Sequence, residues 1–116
     1  MKFIQVEPQS GTFVGWNPLP DLAKFSFLIP GGIKIRSDGR IGLARVQVNP
    51  RQNRVIVSYA WREGQHQDPN AATAFILTGF KMPPEVELNG ISQTKLETRS
   101  LDGELAYIAR LNPIPQ

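Results

Sequence analysis

NRVIVSYAW, residues 53–61, places Val55, Val57, Tyr59 and Trp61 on one side of an extended chain and Ile56, Ser58 and Ala60 on the other. That period of two is the pattern of a strand with one face in a core, and the β-branched and aromatic residues suit a pleated surface. Before it, NPRQN (49–53) joins the strand to RIGLARVQV (40–48), with Pro50 between two asparagines, so the spacing predicts an antiparallel hairpin. Within RIGLARVQV the apolar phase changes, from Ile41 and Leu43 to Val46 and Val48 with Gly42 between them. Such a change points to a β-bulge or to a strand covered on both faces.

The rest of the chain repeats the theme. Turn signals stand at Gly31-Gly32, Asp38-Gly39, Asn89-Gly90 and Asp102-Gly103, each beside alternating runs. KFIQVE and KFSFLI read as strands, and SGTFVGWNPLPDL (10–22) between them reads as an irregular connection held extended by Pro18 and Pro20. The tail NPIPQ stops the last strand, because proline cannot continue a ladder. Ten prolines and ten glycines, with no sustained i, i+3, i+4 periodicity, leave almost no helix signal. The expectation is an all-β protein, an antiparallel β-sandwich of about eight to ten short strands with a barrel as the alternative closure.

A chain of 116 residues suits one domain spanning residues 1–116. No apolar run is long enough to span a bilayer as a helix, so no membrane insertion is expected and the chain reads as soluble. MKFIQVEPQSG lacks the apolar core and cleavage site of a signal peptide, so export is not supported. The absence of cysteine excludes disulfides, thiolate catalysis and cysteine zinc sites together, and leaves the compartment open.

The inventory for catalysis is thin. His66 is the only imidazole, in the polar loop REGQHQDPN (62–70), near Glu63 and Asp68. A metal or proton-transfer site there lacks the three or four ligands that such sites use, and solvation of the loop accounts for the same residues. No serine stands in a nucleophile elbow, and GGIK (31–34) precedes a strand instead of a helix, unlike a phosphate loop. Glu85 and Glu87 alternate with Val86 and Leu88, as solvent-facing strand residues do. The sequence therefore points away from an enzyme, a resident metal or a cofactor.

Binding is the better prospect. Exposed indoles stack on sugars and unstacked bases, and long loops carry recognition residues. Trp16, Trp61, Arg62, Gln65, His66, Gln67 and Asp68 form the candidate ligand set, aromatics stacking and amides hydrogen-bonding. Against this, Tyr59 and Trp61 follow Val55 and Val57 toward the core. A second set, Lys34, Arg36, Arg40, Arg45 and Arg54, would bind an anion such as a sulfated glycan if the folded chain gathered it on one face, nucleic acid being the less favoured partner. The acidic run from Glu85 to Glu104 would instead neutralise it by pairing across strands.

The segment PPEVELNGISQTKLETRSLDGELAYIARL (83–111) carries Val86, Leu88, Asn89 and Gly90, then Asp102-Gly103, then Tyr107 and Leu111. In this it resembles the closing hairpins of β-sandwich accessory domains that terminate many polysaccharide-degrading enzymes. The resemblance covers the last third of the chain and brings no catalytic residue. It implies a non-catalytic module that binds carbohydrate or supports a neighbouring domain. The alternatives are an assembly protein that meets itself or a protein partner through strand edges, and an anion-binding surface.

Overall fold

The computed structural model describes residues 3–7, 11–17, 24–61 and 64–112, with side chains for 11–16, 25–61 and 64–112. The described residues form eleven strands: β1 (Phe3–Glu7), β2 (Thr12–Asn17), β3 (Lys24–Leu28), β4 (Lys34–Arg40), β5 (Leu43–Asn49), β6 (Arg54–Ala60), β7 (Ala74–Thr78), β8 (Glu85–Leu88), β9 (Ile91–Gln93), β10 (Glu97–Leu101) and β11 (Glu104–Arg110). One sheet runs β1-β2-β5-β6-β8-β9 and the other β10-β11-β7-β4-β3. Every pair of neighbours is antiparallel except β6 and β8. The two sheets pack face to face as an open sandwich. No helix among the described residues is long and apolar enough to cross a membrane.

The core lies between unlike faces. The six-stranded sheet presents valines, Val46, Val48, Val55, Val57 and Val86, whereas the five-stranded sheet presents Phe25, Phe27, Phe75, Leu77 and Tyr107, all buried. Large rings set against small branched side chains suit the gap between two twisted sheets. Phe75 meets both Phe25 and Tyr59 edge to face, with centroids 6.2 Å apart in each case.

Four turns follow the sequence expectation. Asn89-Gly90 and Asp102-Gly103 both take positive φ, 48° and 82°, then 51° and 81°, which suits two-residue hairpins between twisted strands. Residues 50–53 close β5 on β6, and Gly31-Gly32 closes β3 on β4.

Asp38-Gly39 is not a turn: both residues lie inside β4. Asp38 Oδ1 accepts hydrogen bonds from the Thr73 and Ala74 amides, at 2.7 and 3.0 Å, and Oδ2 accepts one from the Thr73 hydroxyl. Gly39 is needed for close approach instead of positive φ, since a methyl group there would lie 2.5 Å from the Asn70 carbonyl oxygen. The same two letters that close a hairpin elsewhere here let a neighbouring segment dock.

The apolar phase change near Gly42 is the chain leaving one sheet for the other, from β4 to β5, instead of a bulge. Residues 12–17 form β2 instead of an irregular connection, paired with β1 and β5. Phe13 and Gly15 face the core there, and the Phe27 ring sits against Gly15 so closely that a methyl would fall 2.3 Å from it. The prolines at 18 and 20, and the tail from 113, lie outside the described residues.

Candidate functional site

The polar segment between β6 and β7 connects the two sheets. A 3-10 turn, Gln65–Gln67, turns Gln65 inward, where the buried amide donates from Nε2 to the Arg40 carbonyl at 3.0 Å. Backbone bonds from Arg40 N to Asn70 O and from Ala72 N to Arg40 O, both 2.7 Å, fasten the segment to the end of β4. Asp68 Oδ1 accepts from the Asn70 amide at 2.8 Å, an Asx turn, and its Oδ2 is buried with no partner among the described residues. His66 and Gln67 stand exposed, and no three potential metal ligands gather among the described residues. Arg62 lies outside the described residues.

The two tryptophans occupy opposite sides of the six-stranded sheet. Trp61 continues the inward phase of β6, packs against the core and meets Tyr59 edge to face at 5.9 Å. Trp16 stands opposite Arg45, which stands opposite Ser58, and these three share the outer face. The two tryptophans therefore cannot form one platform.

The basic residues divide likewise. Lys34, Arg36 and Arg40 alternate with the inward Ile35 and Ser37 and so share the outer face of the five-stranded sheet, whereas Arg45 and Arg54 are on the outer face of the other. Lys34 and Arg36 border a hollow of about 450 Å³ with Asp38, Ile76 and Leu101. Arg54 Nη2 lies 3.8 Å from Glu87 Oε1, a pairing of the two oppositely charged halves of the sequence. Glu97 Oε2 accepts from Arg110 Nε at 2.6 Å, and this hydrogen bond holds the Glu97 carboxyl below the usual carboxylate range.

A concavity of about 560 Å³ opens on the outer face of β2, β5 and β6. Half-buried Trp16 and exposed Leu43 stand over it, Arg45 lies beside the indole, and Ser58 and Ala60 form a low floor, with Ala44 and Tyr59 also bordering it. Gln47, with its amide oxygen turned to Arg45, accepts from both terminal guanidinium nitrogens at 3.2 Å and steadies that side chain. An indole wall, a guanidinium and a hydroxyl beside small side chains offer stacking and hydrogen bonding together.

Sequence reasoning placed Trp16 and Arg45 in separate candidate sets and gave Leu43, Ser58 and Ala60 only as strand residues. The hairpin register from Asn49 opposite Arg54 fixes Arg45 opposite Ser58, so that half was accessible. Trp16 could join it only once residues 12–17 were known to be a strand. Comparison of the chain with protein-family models, with curated proteins and with solved structures finds no match.

Proposed function

We propose that the protein is a non-catalytic β-sandwich binding module whose ligand is a carbohydrate, held in the concavity of Trp16, Leu43, Arg45, Ser58 and Ala60. The observation that carries this reading is the cross-strand row Trp16–Arg45–Ser58 over a floor of small side chains. A pyranose presents apolar C–H faces to an indole and hydroxyls at its rim to a guanidinium and a serine. The concavity is open along the sheet, which suits a chain of sugars. The resemblance of the closing hairpins to accessory domains points the same way. Any protein partner would then be a neighbouring domain that the module serves.

With two tryptophans in the chain, Trp61→Phe leaves Trp16 as the only indole reporter. Titration of that variant with soluble oligosaccharides should give a saturable fluorescence change, insensitive to salt. By calorimetry on the parent background, Trp16→Ala should weaken binding at least roughly tenfold, as truncation of a central aromatic contact does. Unchanged affinity in folded Trp16→Ala would overturn the site, and no saturable binding to any oligosaccharide would overturn the ligand class.

A further inference from the structure

The five-stranded sheet ends in β10, and among the described residues this edge lacks the features that blunt β3 and β9. Glu97, Thr98, Arg99 and Ser100 are exposed and Leu101 partly so, with no proline, glycine or bulge in the strand. By contrast β3, the opposite edge, shifts register between Lys24 and Ser26, and β9 is only three residues long. Bulges and short lengths blunt an edge against pairing, and β10 has neither.

The backbone of β10 offers a defined set of partners. Leu101 and Glu104 flank the Asp102-Gly103 turn, whose positive φ values are those of a two-residue hairpin, so they exchange hydrogen bonds, as do Arg99 with Ala106 and Glu97 with Ile108. The N–H and C=O groups of Thr98 and Ser100 therefore point away from β11 toward the free edge. Thr98 is in register with Tyr107, a core residue, yet it is exposed. Among the described residues, the facing sheet thus leaves the inner face of β10 uncovered at Thr98.

We propose that β10 pairs antiparallel with β10 of a second copy of this chain about a twofold axis at Thr98. That register joins Thr98 to Thr98 by two reciprocal backbone bonds and sets each Glu97 opposite an Arg99. Glu97 uses Oε2 for Arg110, so Oε1 is the oxygen offered to Arg99 of the second copy. A twofold at Arg99 would instead oppose two arginines, and one at Ser100 would set Arg99 against Leu101, so charge selects the Thr98 register. The dimer is a continuous sheet of ten strands, and it does not involve the concavity on the other sheet.

Analytical ultracentrifugation over a concentration series up to about 1 mM should show a mass rising from 12.9 kDa toward twice that value. Arg99→Glu and Glu97→Arg each place like charges in both cross-strand pairs and should each raise the dissociation constant about tenfold or more. Mixed together, the two variants restore an opposite charge in both cross-strand pairs and should recover association. Circular dichroism of each variant establishes that it is folded. A parent that stays monomeric throughout, variants that dimerise like the parent, or a mixture that fails to associate would each overturn the proposal.

Discussion

Single residues in this sandwich carry functions that their chemical type does not announce. Asn89 occupies a left-handed turn position, and its side chain also acts as a piece of strand: Oδ1 accepts from the Tyr59 amide at 2.8 Å and Nδ2 donates to the Tyr59 carbonyl at 3.0 Å. It extends the parallel pairing of β6 with β8 by one rung after β8 has ended. Gly15 is the reverse case, a residue defined by what cannot be there. Its φ is not the positive kind that favours glycine, so the first obstacle to a substitution is the Phe27 ring. Gly15→Ala should lower unfolding free energy by about 1–3 kcal/mol, the range for overpacking a filled core, as measured by urea denaturation. An unchanged midpoint would mean that Phe27 moves aside without cost.

At the scale of elements, Asp38 holds the connection between β6 and β7 to β4 by accepting from two amides and a hydroxyl of Thr73 and Ala74. Asp38→Ala should destabilise the fold by about 1–2 kcal/mol and speed hydrogen exchange at Thr73 and Ala74 more than at Val57 in the core. Equal exchange at all three would show that the connection opens only with the whole fold. This element also shows where the sequence was legible. The strand of residues 54–60 and the turns at 31–32, 50–53, 89–90 and 102–103 were read from local alternation and turn chemistry, which depend on neighbours in sequence. Asp38-Gly39 has the same local chemistry, and only contact with Asn70 and Thr73, more than thirty residues away, gives it a different use. β2 was missed because Gly15 breaks the apolar alternation and two prolines follow at once. The candidate concavity needs β2, β5 and β6 in register, so it was not legible until β2 was.

For the whole molecule, the strands of the two sheets alternate along the chain. The six-stranded sheet takes residues from 3–17, 43–60 and 85–93, and the five-stranded sheet from 24–40, 74–78 and 97–110. Since the valines of one are buried by the aromatics of the other, loss of either exposes both. Urea unfolding followed by Trp61 fluorescence in a Trp16→Phe variant should coincide with the transition seen by far-UV circular dichroism. Separate midpoints would mean that one sheet survives without its partner. The alternation also orders events at the ribosome. Between the end of β3 and the start of β9, the emerging chain holds an incomplete part of each sheet, and the six-stranded sheet first has all its strands when Gln93 is out. Until then its valine face has only part of the opposing aromatic face to cover it, so the nascent chain meets the cell with apolar strand surface exposed for most of its synthesis.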